Sequence, residues 1–157
     1  MNGINKVFLT KTRTDDIQEM GDRFSDYQKY VEKNVGRFPS EIVELIKSRW
    51  YYDWQNHRCP HDAWLDSIKF SIDEKSRALT IKLLGAFHDL HIVYEYFDVL
   101  DVRMSFGNNP VIEWDIDEFL LRDKNLYVHR IRWKDGSSWE VVFRGIFRIS
   151  FKSLSMQ

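Results

Sequence analysis

The chain has 157 residues, 43% of them hydrophobic and 15% aromatic, with 6 Trp, 7 Tyr and 11 Phe. A chain of this length buries about two-thirds of the surface it exposes when unfolded, so the composition argues against disorder and for a single domain over residues 1–157. Lys and Arg total 23 against 24 Asp and Glu, a net charge of -1, so the bulk attraction that draws proteins onto nucleic acid or anionic lipid is missing.

Cys59 is the single cysteine, which excludes an internal disulfide and fits a reducing compartment. The stretch from Met1 to Thr10 lacks the basic and then apolar pattern of a secretory signal, and no run approaches the roughly 18 apolar residues of a membrane span. A cytoplasmic protein is expected. Val7-Phe8-Leu9 reads as a short edge strand. Ile17, Met20, Phe24, Tyr27 and Val31 recur at steps of three and four, which predicts an amphipathic helix over residues 14–35 with Thr14, Asp15 and Asp16 at its start and Gly36 past its end. Pro39 opens a second helix, predicted over 39–55, along the stripe Ile42, Leu45, Ile46, Trp50 and Trp54. The short link from Gly36 to Phe38 makes the pair a helical hairpin. Pro60 then stops any helix.

From Ala63 the apolar period becomes two. Ile68, Phe70 and Ile72 alternate, Asp73 to Ser76 turn, and Leu79, Ile81 and Leu83 return as a hairpin. Leu90 to Tyr96 and Leu100 to Phe106 alternate in the same way, Gly107-Asn108-Asn109-Pro110 turns, and a strand from Ile112 to Leu121 follows. The clearest stretch is Asn125 to Phe151. Tyr127, His129, Ile131 and Trp133, then Trp139, Val141, Phe143, Phe147, Ile149 and Phe151, share one parity and therefore one face; Arg130, Arg132, Glu140, Arg144 and Arg148 take the other. Asp135-Gly136 supplies a tight turn. Connections this short join antiparallel neighbours, so the expected fold is α+β, an N-terminal helical hairpin packed against an antiparallel β-meander of about six or seven strands from about residue 64 to 152.

Two clusters have chemical character. His57, Cys59, His61 and Asp62 are groups that zinc accepts, and a Cys-His pair can also supply a nucleophile, but Pro60 lies between the histidines and no orienting partner is evident. A polar junction that caps the helix end and the first strand is the alternative. His88 and His91 would point to opposite faces of a strand, and His129, on an apolar parity, reads as a buried histidine with a hydrogen-bond partner. Glu113, Trp114, Asp115, Ile116, Asp117 and Glu118 form the most polarised stretch. In a regular strand Glu113, Asp115 and Asp117 share one face, and Trp114, Ile116 and Glu118 the other. Arg130, Arg132 and Lys134 could pair with these carboxylates across strands; otherwise a basic partner protein could meet them. Asp98 and Asp101, with Glu95 nearby, would extend such an acidic surface. Phosphate-binding glycine loops, a Ser-His-Asp order and RNA-binding aromatic motifs are absent from the sequence.

The Pro39-Ser40-Glu41 helix start, the His61-Asp62-Ala63-Trp64-Leu65 entry to the sheet, and Asp117-Glu118-Phe119 followed by Val128-His129-Arg130-Ile131 occur in an order that resembles small bacterial α+β immunity proteins of polymorphic-toxin and contact-dependent-inhibition systems. The similarity spans most of the chain after Pro39. It implies a non-enzymatic protein, without cofactor or metal, that binds and neutralises one cognate toxin domain, commonly a nuclease. Carboxylates suit the basic groove of such a partner, and aromatics supply interface anchors. The expected partner surface is Glu113, Trp114, Asp115, Asp117 and Glu118 with Asp98 and Asp101, and Tyr127 as a further anchor.

Overall fold

The computed structural model describes residues 6–154; Met1 to Asn5, part of the stretch read above as lacking a secretory signal, lie outside the described residues. Helices α1 (Ile17–Lys33) and α2 (Ser40–Lys47) precede eight strands: β1 (Trp64–Ile72), β2 (Arg77–Leu84), β3 (Leu90–Phe97), β4 (Val99–Met104), β5 (Trp114–Asp123), β6 (Leu126–Trp133), β7 (Ser138–Phe143) and β8 (Phe147–Ser153). The fold is α+β. Among the described residues no helix is long and apolar enough to cross a membrane.

Asp16 caps α1, its carboxylate accepting the Glu19 N–H at 3.0 Å, which satisfies one of the donors a helix start leaves open. Tyr27 and Val31 are buried as the stripe requires, but Ile17 is 89% exposed, because the helix has only just begun there and its first turn reaches past the core. The second helix stops at Lys47 rather than continuing to residue 55. Ser48 turns to extended backbone, and Tyr51 and Tyr52 then donate their hydroxyls to Asp117, bonds a continuing helix would forgo. Trp50 and Trp54 mimic a helical stripe without belonging to one.

The strands form two four-stranded antiparallel sheets, in the orders β1-β2-β3-β8 and β4-β7-β6-β5, instead of one meander of six or seven. The reason lies in one corner. Asp98, between β3 and β4, has φ 55°, and there the chain leaves the first sheet for the second. Its ladder partner breaks at the same level, at Gly145 between β7 and β8. The ladder continues across the break through Phe97 N–H to Ile146 O, Gly145 N–H to Phe97 O and Arg144 N–H to Asp98 O. A Cβ on Gly145 would lie 2.7 Å from the Phe97 carbonyl oxygen, so only glycine permits this approach. A second corner joins the sheets where Trp64 bridges Glu113 and Ala63 O accepts the Trp114 N–H.

The facing sides of the sheets meet through aromatic rings. Tyr94 stacks on Trp114 at 5.1 Å, Tyr96 meets Phe143 edge-on, and Phe119 meets Phe147. Residues 7–9 do not pair as an edge strand. They cross the outer face of β5 instead, where the buried Glu118 carboxylate accepts the Phe8 and Leu9 N–H groups and the Thr10 hydroxyl. Arg132 donates to Lys11 O and Arg23 to Thr12 O, so the segment is held along its length. A helix packs its hydroxyls along the free edge of β5: Tyr27 both accepts the Phe119 N–H and donates to Phe119 O, and Tyr30 accepts the Leu121 N–H.

Tyr27→Phe leaves two buried backbone groups of Phe119 without a partner and should lower unfolding stability by about 2 kcal/mol in urea titration. Burial pushes the Glu118 carboxyl above its ordinary 4.5, against the lowering pull of the Leu9, Thr10 and Phe8 donors. A raised folded value means the folded state holds this proton longer than the unfolded chain. Its contribution is therefore fully favourable below pH 4.5 and is lost as pH rises through the raised value. Glu118→Gln should remove that dependence, while amide hydrogen exchange at Phe8 and Leu9 accelerates because a Gln side chain offers one acceptor oxygen instead of two.

Candidate functional site

The acidic stretch is divided by a bulge. The register of β5 against β6 shifts between Trp114 and Ile116, so alternation fails there and Trp114 and Asp117 end on the same inner side, with Trp114 Nε1 3.3 Å from Asp117 Oδ1. Asp117 is 1% exposed, and Glu118 and Trp114 are fully buried. These three residues have no surface to offer a partner, which corrects their expected place in a binding face. Tyr127, the further anchor, is buried as well.

Asp117 is instead the centre of a buried polar chain. Its Oδ2 accepts from Tyr51 Oη and, at 2.6 Å, from His129 Nε2; its backbone oxygen accepts from Tyr52 Oη. With the His129 proton on Nε2, Nδ1 accepts from Tyr96 Oη, and Tyr51 and Tyr94 share a hydroxyl contact at 3.1 Å. Burial holds the Tyr51, Tyr94 and Tyr96 phenols well above their ordinary value, so they remain donors. Carboxylate, imidazole and phenols look like catalytic equipment. Sealed between two sheets, they hold the sheets together.

The remaining carboxylates separate. Asp115 is paired with Arg132 at 2.9 Å, and Lys134 lies 3.6 Å from Glu113 and also pairs with Asp62. Asp98 sits in the corner past the far end of β3, whose eight residues put it roughly 25 Å from Leu90, and Asp101 pairs with Arg103 in β4. Glu113 lies at the opposite end, in the row Glu113, Trp64, Leu84, His91. Asp98 and Asp101 therefore do not extend one surface with Glu113.

The His57 to Asp62 cluster also disperses. His57 Nδ1 meets Asp89, His61 Nδ1 donates to Asp115 O at 2.8 Å, and Asp62 takes a left-handed conformation beside Lys134. Cys59 is buried, and burial pushes its thiol up to about 12. Among the described residues no three His, Cys, Asp or Glu side chains come together as metal ligands. The side chains of this segment are engaged by separate partners, and because α2 already ends at Lys47 they do not cap a helix end as the polar-junction reading expected.

The same junction presents three exposed aromatics, of which Trp54 was expected elsewhere. Trp54, expected on a helix stripe, is 55% exposed and stacks on His61 at 3.9 Å. Phe87, 48% exposed, stacks on His57 at 4.0 Å, and Trp64, 38% exposed, meets His88 edge-on. Three large rings are thus fixed in solvent at one end of the molecule, each against an imidazole, with Asp62, Asp89 and Glu113 beside them. The spacing of aromatics and histidines in the loops flanking Pro60 and Gly85 was the only sequence signal. No protein-family model matches the chain, and no curated protein or solved structure does either.

With its thiol buried and protonated, Cys59 should react with iodoacetamide at pH 8 far more slowly in the native protein than in urea, followed by mass spectrometry. Equal rates would contradict its placement.

Proposed function

We propose that this chain is a non-enzymatic, cytoplasmic protein-binding protein, and that its partner is a toxin domain against which it acts as a bacterial immunity protein. The family resemblance supplies the class of partner. The observation that carries the binding surface is the exposed set Trp54, Trp64 and Phe87, whose rings are pinned by histidines. Large aromatics that are already ordered lose little freedom on binding and commonly supply the energetic centre of an interface.

The acidic character expected of the surface survives in reduced form. Glu113 and Asp62 adjoin Trp64 and share Lys134, and Asp89 adjoins Phe87 through His57. A basic partner such as a nuclease groove would find carboxylates around an aromatic centre, which favours fast and oriented association. The two helices are read as a hairpin packed on the sheets.

Coexpression with the product of the neighbouring gene, followed by affinity capture and a toxicity assay, tests the function. A stable complex that restores growth is expected. Trp54→Ala and Phe87→Ala should each weaken the complex by about 30-fold, equivalent to about 2 kcal/mol, whereas Asp101→Lys at the other end should leave it unchanged. Loss of affinity in Asp101→Lys with none in the aromatic variants would move the interface to the opposite end.

A further inference from the structure

A cavity of about 360 Å³ lies between the N-terminal segment and the β6–β7 turn. Its lining includes five cationic side chains, Lys11, Arg13, Arg130, Arg132 and Lys134, against one carboxylate, Asp115. The cations differ in what they still have to offer. Arg132 is spent on Asp115 and on Lys11 O, and Lys134 on Asp62 and Glu113.

Arg130 is not. Its Nη1 pairs with Glu140, directly opposite in the ladder, while its Nε is buried and has no hydrogen-bond partner among the described residues. Nε and Nη2 lie on the same edge of a guanidinium, and that edge is the one that grips two oxygens of a carboxylate or phosphate side-on. A buried charged donor left unmatched costs more than a neutral one, so the site is organised for an acceptor that the chain itself does not supply. Lys11 and Arg13 add positive charge at the rim; Thr12 and Ser138 of the same lining carry hydroxyls that can donate or accept, whereas the Thr10 hydroxyl already gives its proton to Glu118.

We propose that this cavity is an oxyanion site that takes a carboxylate or phosphoryl group of a small molecule, held side-on by Arg130. It does not rest on the toxin-binding reading: Lys134 borders both places, but Arg130, Lys11 and Arg13 take no part in that surface, and either proposal could hold without the other.

Titration of the protein with inorganic phosphate and, separately, with acetate, at constant ionic strength set by chloride, tests the site. The readout is calorimetry together with the nitrogen-detected NMR signal of Arg130 Nε. Saturable binding of either anion with a shift of that signal is expected, and which anion binds more tightly separates the phosphoryl from the carboxylate source. Arg130→Lys keeps the charge but removes the side-on edge and should weaken binding by about tenfold. The pair Arg130→Gln with Glu140→Gln removes the edge without stranding a carboxylate, and should abolish binding while thermal unfolding reports an intact fold. No saturable binding of either anion, a response reproduced by chloride, or equal affinity in the folded variants would each overturn the proposal.

Discussion

The free edge of β5 is the constraint on which the rest of the structure depends. A strand at the end of a sheet leaves alternate N–H and C=O groups without a ladder partner, and here they are shut away from water. Side chains take the place of the missing strand. His61 meets the Asp115 carbonyl, Tyr52 the Asp117 carbonyl, Tyr27 both groups of Phe119 and Tyr30 the Leu121 N–H. Every second residue from Asp115 to Leu121 is thereby served from three different parts of the chain, and α1, the turn after α2 and the junction at His61 are each fixed by that duty.

The two consecutive carboxylates of β5 extend the same logic to its faces. Asp117 points between the sheets and gathers Tyr51, His129 and Trp114, and through His129 it reaches Tyr96 in the other sheet. Glu118 points the other way and gathers the backbone of residues 8 and 9. Charges so placed are costly unless every oxygen is matched, and here both oxygens of each are engaged. They specify which segments lie against β5 more strongly than apolar contacts could, because an apolar face accepts many neighbours and an unmatched carboxylate accepts few.

Much of this was legible. The inward parity of His129, Ile131, Trp133, Trp139, Val141 and Phe143 follows from alternation alone, and all six are buried. Arg130 and Glu140 share the outward parity and pair across the ladder, and Gly136 adopts the positive φ its turn needs. Alternation failed where a bulge reset it, at Trp114 to Ile116, and that shift put Trp114 and Asp117 on one inner side, while Glu118 on the outer face is buried by residues 8 to 10. The uninterrupted run Phe119-Leu120-Leu121 was a sign of burial on both faces, since a strand with one wet face alternates. The segment at residues 7–9 was misread because its partner is a carboxylate more than a hundred residues away, a pairing that no local pattern encodes.

The corner at Asp98 and Gly145 also bears on how the chain comes to be made. The third strand must wait for the eighth, because Leu90 pairs with Ser153 and Tyr96 with Phe147. During synthesis from the N-terminus, β1 to β3 emerge as a three-stranded meander whose outer ladder is open until the last strand leaves the ribosome. An open ladder rich in Ile92, Tyr94 and Tyr96 is the kind of surface that associates with other nascent chains. The bend that lets one ribbon serve two sheets therefore trades a compact finished molecule for a long interval in which half of it is unprotected.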